Sequence, residues 1–223
     1  MTSGMVEKFQ EDLDKLDVKL SEEEEFIKII NDSYKKYFIN GSRSPEKTNY
    51  FHENIKSMLK LYFTHENGFE IRMEHKVLSC NSNKNKQCDI VVLKNKEPYI
   101  IFPVKLIMTN YKQNKNNYWE NLTGELTHIK WHNDNIHIIP INIFMDKTPY
   151  LSNKKIKKFE NVTISDIENY NALVKHNICY DVINYIVEVE HINNINEKFI
   201  KIHPIKKFIT KYRKLNTILD KLL

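Results

Sequence analysis

Two short apolar runs separated by a turn-like stretch constrain this chain more than any other feature. CDIVVL (Cys88 to Leu93) and YIIFPVKLIM (Tyr99 to Met108) flank the segment KNKEP. Runs this short, joined by turn-forming residues, read as neighbouring strands of a sheet covered on both faces. Lys105 breaks the apolar pattern of the second run, and burying an ammonium requires a partner or a function. Asp89 opens the first run, sixteen positions upstream, so the two strands carry an acid and a lysine.

The flanking segments supply the rest of an α/β unit. Apolar residues at Phe51, Ile55, Met58, Leu59 and Tyr62 mark one face of a helix. FEIRMEHKVL then alternates, with Phe69, Ile71 and Met73 on one side and Glu70, Arg72 and Glu74 on the other, as a half-exposed strand does. After the second apolar run come the polar stretch TNYKQNKNN, an amphipathic helix with Tyr118, Leu122, Leu126 and Ile129 in register, and a strand in NIHIIPINIFM. The expected fold is therefore α/β with a mixed sheet flanked by helices, in the order helix, three strands, helix, strand, as one domain over 1–223 with its core at 47–146. Residues 1–40 read as helical, with a capping box at Ser21 and Glu24 and a solvated first turn at Glu22 to Glu25. Residues 147–223 also read as largely helical, closing on a basic amphipathic helix in HPIKKFITKYRKLNTILDKLL.

Composition excludes classes rather than naming one. Of 223 residues, 41% are hydrophobic and 28% charged, a balance that rules out a disordered chain, and no run approaches the roughly 20 apolar residues of a membrane span. The cytoplasm is the expected compartment, and Cys80, Cys88 and Cys179, without zinc-like spacing, read as reduced thiols. The net charge of +5 comes almost wholly from lysine in a chain rich in Asn and Ile, so it argues only weakly for a nucleic-acid partner.

An acid and a lysine on adjacent strands suit metal-dependent phosphodiester hydrolysis, in which the carboxylate holds a cation and the lysine offsets charge at the attacked phosphate. In that arrangement, and over about residues 47–146, the chain resembles the PD-(D/E)XK nuclease superfamily, and within it the type II restriction endonucleases. Cys88 stands at the family's proline, and Pro103 occupies the position of its second acid, two residues before Lys105, where a bulge or sheet edge is expected. Relatives lacking that acid take a glutamate from the following helix, which here offers Glu120 by spacing and Glu125 by facing. Glu53, on the first core helix, is a weaker further candidate and reads as solvated.

The resemblance implies a Mg²⁺ site, with Mn²⁺ able to substitute, built from Asp89, the main-chain carbonyl of Val104 and Glu120 or Glu125, with Lys105 beside it. It also implies double-stranded DNA as partner and a homodimer, since cutting both strands of a palindrome calls for two symmetric sites. The amides, the tyrosine and the lysine after the lysine strand, Asn110, Tyr111, Lys112, Gln113, Asn114, Asn116 and Asn117, stand where the resemblance implies entry into the major groove, in which Asn and Gln pair with adenine. Arg43 and Ser44, in a turn before a helix, are candidates for phosphate. The alternatives are a junction resolvase or repair nuclease of the same fold, and a non-catalytic DNA-binding protein on a decayed nuclease fold, which Pro103 favours.

Overall fold

A computed structural model describes residues 20–40, 44–198 and 200–223. The expected helix in 1–19 and the candidate Arg43 lie outside them. Element order in the core follows the sequence expectation: α1 (Glu22–Asn40), α2 (Glu46–Leu59), β1 (Phe69–Leu78), β2 (Asn85–Lys94), β3 (Glu97–Phe102), β4 (Val104–Ile107), α3 (Tyr111–His132), β5 (His137–Ile138) and β6 (Ile141–Met145). A hairpin of β7 (Lys147–Ser152) and β8 (Lys155–Asn161) follows, then α4 (Ile164–Ile167), α5 (Asn171–Lys175), β9 (Ile183–Val187) and α6 (Leu215–Leu219).

The strands form a mixed arrangement whose ladders are interrupted at two prolines. β1, β2 and β3 are antiparallel neighbours and β5 lies parallel to β3, while β4, β6 and β9 form a parallel set. The pairs Ile101↔Ile138 and Val104↔Ile141 bring Pro103 opposite Pro140, so neither strand has an N–H to donate there and both break. The two sets nevertheless remain stitched: Ile139 N–H donates to Ile101 O (2.9 Å), Ile141 N–H to Pro103 O (2.8 Å) and Ile183 N–H to Pro140 O (2.8 Å). The irregularity expected at Pro103 is thus a strand break, and the single run Tyr99 to Met108 becomes β3 and β4.

Both faces of the sheet are covered, which explains the near-continuous apolar runs. Ile90, Val92, Ile100, Phe102, Ile141 and Ile143 face a layer built from α1, α2 and the C-terminal residues. Val91, Leu93, Ile101 and Phe144 face the other, built around Leu122, Leu126 and Ile129 of α3.

The C-terminal third differs from the helical expectation. Its helices are five residues or fewer, and residues 188–198 and 200–214 are irregular, with Lys207 to Ile209 lying along β9, where Glu188 N–H donates to Lys207 O (3.2 Å) and Ile209 N–H to Ile186 O (2.7 Å). Pro204 and the burial of Ile205 and Phe208 against the first layer outweigh the helical periodicity. The Ser21 and Glu24 capping box forms, but Glu22 is not solvated: its carboxylate accepts from Tyr62 Oη (3.1 Å), Tyr212 Oη (2.8 Å) and the Leu215 amide (2.8 Å), tying the C-terminus to α1. All three cysteines are free, and no described helix is long and apolar enough to cross a membrane.

Candidate metal centre

Asp89 and Glu74 are brought together by a fault in strand alternation. The pairs Met73↔Ile90 and His75↔Cys88 put Glu74 opposite Asp89, and Glu74 adopts a left-handed backbone, φ 48°. Cys88 and Val91 consequently face the same layer although they stand three positions apart, a step that plain alternation would send to opposite faces. The reset turns Glu74 and Asp89 toward α2, where His52 meets them. Such a conformation costs a non-glycine residue roughly 1–2 kcal/mol, and strain of this kind gathers at functional sites.

One donor atom from each of His52, Glu74 and Asp89 lies within 4.8 Å of the other two. His52 is 1% exposed, and neither ring nitrogen has a hydrogen-bond partner, although Nδ1 sits 3.7 Å from Glu74 Oε1. Leaving a buried donor or acceptor unsatisfied costs about 1–3 kcal/mol, so these nitrogens call for an explanation. Burial holds the imidazole pKa below its ordinary value against the pull of Asp89 and Glu74, while Lys105 pushes it the same way as burial. A neutral imidazole with a free lone pair beside two carboxylates is a donor set for a divalent cation.

The remaining contacts orient this set. In the β2–β3 register Pro103 falls opposite Asp89, and the next amide, Val104 N–H, donates to Asp89 Oδ2 (2.7 Å). Gln87 Nε2 donates to Glu74 Oε2 (2.6 Å), so each carboxylate has one oxygen held within the protein. Glu74 remains 48% exposed, so the cluster reaches the protein surface on that side. Lys105 is half-buried and follows directly on the amide that anchors Asp89.

The sequence-predicted residues divide sharply. Asp89 is in the cluster and Lys105 lies beside it. Glu120 is exposed on α3, and Glu125, on the sheet-facing side as its phase required, pairs with Lys86 Nζ at 3.1 Å; neither joins the cluster. The carboxylate that meets Asp89 is instead that of Glu74, on the neighbouring strand. Glu53 is exposed, whereas its neighbour His52 points inward.

Most of the predicted DNA-facing segment is already committed elsewhere, because α3 begins at Tyr111 rather than after a loop. Tyr111 is fully buried, its hydroxyl donating to Asp166 O (2.9 Å), so it cannot reach a base. Asn110 Oδ1 accepts from Leu151 N–H (2.6 Å), Gln113 Nε2 donates to both Glu160 oxygens (2.8 and 2.7 Å), and Asn114 Nδ2 donates to Asn110 O (2.9 Å). Ser44 Oγ accepts from Glu46 N–H (3.3 Å) at the start of α2. Lys112, Asn116 and Asn117 remain exposed on α3.

Two residues of the cluster escaped the sequence reading. His52 had a usable signal, since it stands three and seven positions before Ile55 and Leu59 and so on the buried stripe of its helix. Glu74 had none, because plain alternation assigns it to the solvated side. No family model, no curated protein and no solved structure matches the chain.

Proposed function

We propose that the chain is a metal-dependent endodeoxyribonuclease, acting as a homodimeric type II restriction endonuclease of the PD-(D/E)XK kind. The observation that carries this reading is the buried, unpartnered imidazole of His52 converging with Glu74 and Asp89 next to Lys105. His52, Glu74 and Asp89 would hold the cation. A divalent ion bound there supplies Lewis acidity toward water and neutralises charge at a phosphodiester.

The chain's own residues supply the rest. The Val104 amide fixes Asp89 in one rotamer, and burial keeps His52 neutral so that its lone pair is available near neutral pH. Lys105 places a positive charge where negative charge grows on the attacked phosphate. Pro103, the best argument for a decayed nuclease, loses force because Glu74 supplies from β1 the acid missing on the lysine strand.

The nitrogen donor also bears on which cation is used. Mg²⁺ favours all-oxygen surroundings, whereas imidazole suits borderline cations. Imidazole suits Zn²⁺, Fe²⁺ or Ni²⁺ better than Mg²⁺, so the donor set departs from the Mg²⁺ implied by the family resemblance, and Mn²⁺ is the nearest substitute within that resemblance.

Digestion of phage-sized DNA in Mn²⁺ or Mg²⁺ beside Asp89→Ala and Lys105→Ala, with fragment ends sequenced, tests the proposal. Discrete fragments lost in both variants are expected. No cleavage by the wild type under any divalent metal overturns it.

A further inference from the structure

The β7–β8 hairpin is a strongly positively charged element that the centre does not use. It carries Lys147, Lys154, Lys155, Lys157 and Lys158 against Glu160 as its one acid. Lys158 is held by Glu160 (2.8 Å), whereas Lys154, Lys155 and Lys157 are exposed and in no ion pair among the described residues. Tyr150 pairs with Lys158 but Leu151 with Ile156, so Lys157 is the extra residue of a β-bulge, a device that re-aims a side chain.

The hairpin is bolted to the N-terminus of α3. Asn110 N–H donates to Pro149 O (3.1 Å), Leu151 N–H to Asn110 Oδ1 (2.6 Å) and Gln113 Nε2 to Glu160. The amides read from sequence as base-contacting thus hold a basic hairpin beside α3 instead. Lys112, whose charge is felt at Glu160, extends the same positive surface onto the helix, followed by exposed Asn116 and Asn117. β4, which carries Lys105, runs into that helix through three residues.

The chemistry of the face selects its partner. None of the exposed large apolar side chains lies within the hairpin, so the face offers nothing to insert into a lipid layer or to bury against an apolar protein surface. Lysines flanked by amides match a phosphodiester backbone. A strand of six residues spans about 20 Å, on the order of six base-pair rises at 3.4 Å each.

We infer that Lys154, Lys155 and Lys157 of the β7–β8 hairpin, with Lys112 of α3, form a backbone clamp for the duplex DNA on which the metal centre acts. The inference rests on the nuclease reading for its choice of substrate. It concerns binding alone, however, and is separable from cleavage.

The test is the salt dependence of binding by the full chain. Affinity for a fluorescent 30-base-pair duplex is followed by anisotropy in EDTA across a series of KCl concentrations. The proteins compared are the wild type, a Lys154→Gln, Lys155→Gln, Lys157→Gln triple variant, and a Lys60→Gln, Lys211→Gln, Lys221→Gln control with the same change in charge at exposed sites elsewhere. With a slope of about −0.9 per phosphate contact, losing three contacts flattens the plot of log K against log salt by about 2 to 3 in the hairpin variant and by less than 1 in the control. Equal changes in both variants, or none in the hairpin variant, overturn the clamp even if the wild type cleaves DNA. A wild type that binds with a steep, hairpin-dependent slope but never cleaves leaves the clamp standing and removes the nuclease reading.

Discussion

Replacing His52 with leucine should make the metal-free protein more stable and the metal-loaded protein less so. His52 is 1% exposed and its ring nitrogens have no hydrogen-bond partner, so folding strips them of water without replacement. That costs about 1–3 kcal/mol, and leucine, apolar and near in volume, removes the cost in exchange for a repacking penalty below about 1.5 kcal/mol. His52→Leu should therefore gain about 1–2 kcal/mol in EDTA, which for a chain of this size raises Tm by roughly 2–8 °C. The wild type recovers the difference on binding its cation. At a Mn²⁺ concentration one hundred times Kd it gains about 2.7 kcal/mol, whereas a variant whose Kd rises a hundredfold gains about 0.4 kcal/mol. The order of the two melting temperatures, followed by circular dichroism at pH 7.5 in EDTA and then in Mn²⁺, should invert. A His52→Leu protein that melts lower in EDTA would show the imidazole to be a structural element. Equal stabilisation of both proteins by Mn²⁺ would remove His52 from the ligand set.

Glu22→Ala should lower Tm by roughly 4–8 °C, about 2 kcal/mol, because it deprives Tyr62, Tyr212 and the Leu215 amide of their shared acceptor. Glu25→Ala, at an exposed position on the same turn, should leave Tm within about 1 °C, and equal losses in the two variants would refute the role of Glu22. Stability should also fall with acidity before the carboxylates titrate. Burial holds His137 and His191 below the ordinary 6.5, so the unfolded chain binds protons first as pH drops, and stability is lost from about pH 6.5 down to their folded values. The urea midpoint should accordingly be lower at pH 5 than at pH 7.5, and a midpoint unchanged between them would contradict this.

Much of the core was legible because local chemistry and tertiary demand agree there. The buried runs of β2 and β3, the stripe of α2 from Phe51 to Leu59 and the stripe Leu122, Leu126 and Ile129 of α3 are periodicities that only a sheet between two helical layers satisfies. Asp89 and Lys105 were legible for the complementary reason, as charges set against an apolar pattern. The same logic failed in 200–214, where the helical spacing of Ile205 and Phe208 is also served by an irregular segment lying along β9.

Which carboxylate faces Asp89 was decided by tertiary structure alone. Alternation places Glu74 in solvent, and only the left-handed kink opposite Asp89, with Pro103 removing the regular ladder partner on the other flank, turns it toward His52. Helical phase likewise put Glu125 on the sheet-facing side of α3, but it pairs there with Lys86 and not with the cluster. Periodicity reports which side of one element a residue takes and is blind to register between elements. The strands and helices of the core from α2 to β6 and the two charged intruders therefore belong to the sequence by itself. The meeting of His52, Glu74 and Asp89 within 4.8 Å belongs to the packing of α2 across the β1–β2 ladder, a contact between segments that no local pattern encodes.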